Sequence, residues 1–411
     1  MKNLTIYIFL ILASTSGVFA QINTGDSLTL VHRPIQMGFF PPMSTNGWES
    51  GRCVNNISIN LFAGYQGGVE GLEVGAFSNI IKHHMKGAQF AGFSNTVLGT
   101  THGAQFAGFA NVNNGYTFGG QFSGFANVVT DSVDAFQAAG FTNFNSGRTN
   151  GTQVAGYANL VTSDVQGAQI GGFANGTIGN MNGFQAAGFG NVATGDVKGV
   201  QVAGFGNVAR NITGSQISGF INVAKKVNGL QLGFINISDS IGEGIAIGFL
   251  SISRNGYYAI EAEVNETEYA LAHLKIGTEK FYNTFSFGMR PQDNKMNWAY
   301  GYGVGTLVPL NEKMDLSIDL QSIQLVEGGW AWNDPNLNLH NRLKLAASYN
   351  FTDRISVVAG PSFNVLVSDQ EDENGNIVGS DLAPWTLTDQ TYQHANVKTY
   401  LGFNAGVRIQ L

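Results

Sequence analysis

The sequence predicts an all-β protein: a β-solenoid of about twelve 15–16-residue repeats followed by an eight-stranded antiparallel β-barrel. Three observations carry that prediction. Residues 73–253 repeat with a fixed period, residues 254–411 switch to an alternation of period two, and 55 Gly and 29 Phe stand against only 8 Pro and 12% charged residues in 411. Such a composition suits neither a helical enzyme nor a disordered chain, and glycine without proline implies many tight turns. A net charge of −7 with no Lys/Arg run excludes nucleic acid as a partner, because phosphate contacts need clustered cations.

Met1 to Ala20 reads as a cleavable secretory signal, with Lys2, an apolar run from Ile6 to Leu12 and small residues before Gln21. That run is too short for a spanning helix, which takes ~20 residues, so any membrane contact is expected from strands. The sole cysteine, Cys53, can form no intramolecular disulfide and reads as a small buried side chain. Residues 21–72 are expected to form an N-terminal cap in which a strand such as 57–65 covers the exposed end of the first coil.

The repeat unit is Gly-x-Gln-x-small-Gly-Phe-x-Asn, as in GAQFAGFSN from Gly87 and GVQVAGFGN from Gly199. Its Gln position falls on Glu73, Gln89, Gln105, Gln121, Gln137, Gln153, Gln169, Gln185 and Gln201 at intervals of 16, then on Gln216, Gln231 and Ala246 at intervals of 15. A second apolar pair follows across turn residues, as Leu160 and Val165 do, so each unit holds two short strands. Such strands cannot cross a bilayer, which takes ~9–11 residues, whereas stacked coils bury a continuous core. At ~4.8 Å per coil, twelve coils make a rod of roughly 58 Å. Stacking turns Phe93, Phe109, Phe125 and Phe141 into one ladder and Asn95, Asn111, Asn127 and Asn143 into another, both expected to be scaffold. The segment from Gln231 to Asn236 lacks the small residue before Gly, so the small-Gly pair is expected to be the corner where a deletion does no harm.

From residue 254 the chain alternates, most clearly in Leu401, Phe403, Ala405, Val407 and Ile409 against Gly402, Asn404, Gly406 and Arg408. Eight strands are expected, at 257–265, 268–276, 281–290, 298–308, 314–326, 340–350, 354–367 and 397–411. Short connections alternate with long ones, and the strand count is even, as in outer-membrane barrels. A soluble antiparallel β-sandwich alternates similarly and stands as the alternative.

Little chemistry is apparent. Between Gly87 and Ser253 the only carboxylates are Asp131, Asp134, Asp164, Asp196, Asp239 and Glu243, and none recurs at the repeat period as acid/base or calcium chemistry would require. His83 and His84 are adjacent, so on a strand they point oppositely, and they read as solvated turn residues. The acidic run from Asp369 lacks calcium-loop spacing, and Asn374-Gly375 reads as a hairpin turn. Trp330 and Trp332, in an expected outer loop, are candidates for glycan or membrane-interface contact. No catalytic, metal-binding or cofactor site is expected.

The GxQxAGFxN units, preceded by NNISINLFAGYQGGVEGLEVGAFSN from Asn55, resemble the surface repeat-containing proteins of outer-membraned bacteria, especially of the Bacteroides group, over about residues 50–253. The resemblance implies a cell-envelope location and carries no catalytic residues. The expectation is a non-enzymatic, barrel-anchored repeat scaffold in the outer membrane, with lipid as a partner and an envelope protein or glycan as a further one. Its rivals are a transport pore and a polysaccharide-acting solenoid enzyme.

Overall fold

A computed structural model of the chain describes residues 29–292, 295–327, 336–372 and 374–411. The signal expected at 1–20 lies outside the described residues, as do Trp330 and Trp332.

Each coil of the array contains a longer strand, such as Thr149–Ala155, and a shorter one, such as Ala158–Val161. Each strand pairs in parallel with its counterparts one coil before and one coil after, so that Gln153 lies between Gln137 and Gln169, and Asn159 between Asn143 and Asn175. One register residue thus repeats over the whole length, and two parallel sheets face each other across a narrow interior. The glycine that opens each unit makes close stacking possible: Gly103 has φ 139°, and a Cβ there would run into the carbonyl oxygen of Gly87 one coil earlier.

The interior differs from end to end of a coil. Near the turns it is apolar, with Val161, Val165, Met181, Val197 and Ile212 in one cluster. Of the apolar pair expected from sequence, Val165 faces in, but Leu160 is 44% exposed and Val161 takes the inward place. At the other end the chain turns at the Gly-Phe pair, one residue later than expected. The small residue, as at Ala107, is the last strand residue and points inward, and the bend falls on Gly108 and Phe109. The deletion near Gln231 removes that inward residue: Leu232 still pairs with Ile217, and Asn236 is back in register with Asn222. The corner absorbs the loss by opening the Phe220–Phe234 stack to 6.1 Å, against 4.9 Å between Phe189 and Phe205.

The strand expected at 57–65 is interrupted. Cys53–Asn60 and Ala63–Gly75 are separated by a bend at Leu61 and Phe62, and Phe62 stacks on Phe77 at 5.1 Å, so the phenylalanine ladder already begins here. Val31–Phe40 adds the outermost parallel strand, paired from Val31 with Cys53. Cys53 is buried and free, as read from the sequence.

Residues 257–410 form a closed antiparallel barrel of Tyr257–Asn265, Ala270–Thr278, Phe281–Gln292, Lys295–Asn311, Met314–Val326, Asn338–Asn350, Ile355–Ser368 and Asn396–Gln410. Pairing of the first strand with the last, Ala259 opposite Gln410 through Asn265 opposite Asn404, closes it, which sets the sandwich aside. The third hairpin is tighter than expected, its strands running to Gln292 and from Lys295. The array enters at the end bearing the short turns after Thr278, Asn311 and Asn350, opposite the long 369–395 connection. There Phe249 of the last coil packs on Phe285 and Tyr302, on the outside of the barrel wall, at 5.6 and 5.3 Å.

Candidate functional site

The barrel wall has its polarity reversed relative to a soluble core. Leu401, Phe403, Val407 and Ile409 are 45–59% exposed, while their alternates Tyr400, Asn404 and Arg408 are buried inside. Neighbouring strands send Glu261, Glu263, His273, Lys275, Asp319, Gln321, Arg342 and Lys344 to the same interior. Sequence reasoning missed this cluster because it sought carboxylates in the repeats. The signal lay in charges two apart within apolar strands, Glu261 with Glu263, His273 with Lys275, and Arg342 with Lys344.

The charges form one network. Lys344 Nζ donates to Glu261 Oε1 and Glu263 Oε2, each at 2.7 Å, and lies 3.6 Å from Asp319. Arg342 donates to Glu263 at 2.6 Å, Arg408 to Glu261 at 2.7 Å, and Lys275 lies 3.0 Å from Glu261 and 3.2 Å from Asp319. Each carboxylate therefore meets at least two cations, which offsets the several kcal/mol that burying an ion costs. Glu261, Glu263 and His273 place one ligand atom each within 4.8 Å of one another. Lys344 and Arg342 already hold those carboxylate oxygens, so the arrangement suits an ion-pair lattice better than a metal.

Both mouths of this interior are filled. Toward the short turns, Tyr257, Ala259 and Tyr282 pack together, with Leu307 against them. Toward the long connection, Leu271, Ile323, Leu325, Leu366 and Tyr400 surround Leu382, which the 369–395 segment brings down into the opening. Arg290 and Lys398 hold that segment by donating to the carbonyls of Leu382 and Ser380 at 3.3 and 2.8 Å. Beneath it His340 Nδ1 meets Glu268 Oε1, and His340 Nε2 lies 3.2 Å from the Tyr400 hydroxyl, all buried. A carboxylate–histidine–hydroxyl row has the makings of general-base chemistry, but the Leu382 segment screens it from substrate.

In the array the Gln and Asn columns are buried amide ladders. Each Gln donates backward, Gln105 to Gln89 at 2.8 Å and Gln169 to Gln153 at 2.9 Å. Each Asn donates forward, Asn95 to Asn111 at 2.9 Å, and also to a strand carbonyl of the next coil, Phe106 O, at 2.8 Å. The Gln ladder starts at Glu73, whose Oε2 accepts from Gln89 at 2.9 Å while Oε1 accepts from Asn60 and Gln66. Burial pushes the Glu73 carboxyl up to about 8, against the pull of its Gln89, Asn60 and Ser58 hydrogen bonds. The ladder stops at Ala246, leaving Gln231 Oε1 buried without a partner. The phenylalanine ladder faces outward, Phe93, Phe109, Phe125 and Phe141 being 36–40% exposed.

Other expected features take their places. His83 and His84 lie in the strand Ser78–Ala91 rather than in a turn, half-buried, with His84 3.4 Å from Glu70. Asn374-Gly375 does form a hairpin turn: Gly375 has φ 79°, Glu371 bridges to Ile377, and hydrogen bonds from Asn376 and Asn374 hold the Asp372 carboxyl below its usual range. No family model matches this sequence, and no curated protein matches it.

Proposed function

We propose that the chain is a non-enzymatic cell-envelope protein whose barrel anchors it in an outer membrane and whose array is a structural or interaction module. The observation that carries this reading is the reversed polarity of the barrel, charged within and apolar without, which suits lipid outside and not water. The resemblance of residues 50–253 to surface repeat proteins of outer-membraned bacteria agrees with it. In such barrels the short turns face the periplasm. The array joins at the short-turn end, so in this reading it is periplasmic and its adhesive role is toward envelope components.

The test is protease shaving of intact cells, with permeabilised cells as control. Cleavage confined to the 369–395 connection is the expected result, and cleavage within the repeats of intact cells would overturn the periplasmic placement. A transport pore fits less well, because the interior is filled by the Lys344–Glu263 lattice and the Leu382 segment. Steady single-channel conductance in planar bilayers would overturn that judgement.

A further inference from the structure

We infer that the array itself lies against the membrane, with its phenylalanine corner in lipid acyl chains; this rests on the reading of the barrel as membrane-crossing. The corner is a continuous stack from Phe62 to Phe249, its centroid spacings between 4.8 and 6.1 Å. Both sheets beside it present apolar outward columns, Phe90 and Ile170 on the one, Leu160 and Val192 on the other, all 39–46% exposed. Every Asp, Glu, Lys and Arg between Gly87 and Ser253 falls instead in or beside the segment joining each short strand to the next long one, at the opposite edge of the coil, Asp134 and Lys198 being the second residues of their long strands. The coil is thus amphipathic in cross-section, the β counterpart of a helix that lies in a membrane interface.

Two further observations select lipid as the occupant. The ladder does not end in water at its C-terminal side: Phe249 passes it on to Phe285 and Tyr302, outward-facing on the barrel wall, so the two apolar surfaces are one. Along its N-terminal half runs a shallow open groove of 680 Å³, floored by Gly92, Gly108 and Gly140 and walled by Phe90, Phe106 and Phe122, a shape and chemistry suited to acyl chains. The backbone N–H groups of the corner donate from coil to coil, Gly140 to Ser123 and Phe141 and Thr142 to Phe125, so they are not among the groups that hydrocarbon would leave unsatisfied.

The test is nitroxide labelling of single cysteines in the full chain, reconstituted in phosphatidylcholine–phosphatidylglycerol vesicles and probed by oxygen and by a water-soluble nickel complex. Cys53, 1% exposed, stays unlabelled, with the unsubstituted chain as control. Labels replace Phe125 and Phe173 on the corner, Thr130 and Thr162 on the opposite edge, and Phe403 on the barrel wall. Corner labels are expected to lose most of their contact with the nickel complex and keep oxygen, as Phe403 does, while the Thr sites stay open to nickel. Corner labels in water beside a lipid-buried Phe403 would overturn this inference and leave the barrel reading standing. A Phe403 label in water would overturn both. Corner labels shielded from both probes and broadened by spin–spin coupling would assign the face to a second copy of the chain and overturn lipid contact.

Discussion

Glu73 puts a single carboxyl at the head of a glutamine ladder, and its ionisation should set how firmly the first coils hold. Burial raises its pKa from 4.5 to about 8. A raised acid contributes stability that is full below the unfolded pKa and is lost as pH rises toward the folded one. At ~1.36 kcal/mol per unit, the shift amounts to about 5 kcal/mol between pH 4 and pH 9, of which about 3 is already lost at pH 7. Glu73→Gln removes the titration, but one of its N–H groups then faces a donor from Asn60, Gln66 or Gln89, at a cost of ~1–3 kcal/mol at every pH. The wild-type and variant stability curves should therefore cross, between about pH 5 and pH 7. The assay is hydrogen exchange of the amides in Cys53–Asn60, Ala63–Gly75 and Ser78–Ala91, corrected for intrinsic rates. Parallel profiles for wild type and Glu73→Gln from pH 4 to pH 9 would refute the reasoning.

Four further outcomes are expected. Gln153→Ala strands Gln169 Nε2, takes one of two donors from Gln137 Oε1, which keeps Asn145, and leaves a cavity, so exchange protection of those coils should fall by ~3–5 kcal/mol. Arg342→Met leaves Glu263 buried with one cation fewer and should destabilise the barrel by ~3–5 kcal/mol, read as a lower temperature for loss of its compact form on cold detergent gels. Gly103→Ala forces a Cβ onto φ 139° and against Gly87 O, costing ~1–3 kcal/mol or more. Gly176→Val, in an outward column holding Leu160 and Val192, should stay within ~0.5 kcal/mol; thermal unfolding of the pair separates backbone strain from mere bulk.

The array was legible because a stacked coil repeats its demands: the same Gln, Gly, Phe and Asn are needed at each level, and a period of 16 survives inspection by eye. What a repeat does not disclose is which side a residue takes where the chain bends. Leu160 and Val161 look alike as letters, and only the turn that follows decides that Val161 goes in. The corner was misplaced by one residue for the same reason, since Ala107, Gly108 and Phe109 are all permissible at a bend and the inward fit of Ala107 settles the matter. The barrel strands were legible from alternation alone. The charged network within them was not, because its members lie up to 147 residues apart, as Glu261 and Arg408 do, and only closure brings them together.

The two amide ladders run in opposite senses, and each interior rung gives and takes in the same way as its neighbours. A duplicated or deleted interior coil would therefore find its hydrogen bonds already waiting, with no adjustment elsewhere. The ends are different in kind: Glu73 accepts from both directions and Ala246 offers nothing, so neither can be repeated without breaking the row. The length of this array is open to change by recombination in its middle, while its first and last coils are fixed as termini.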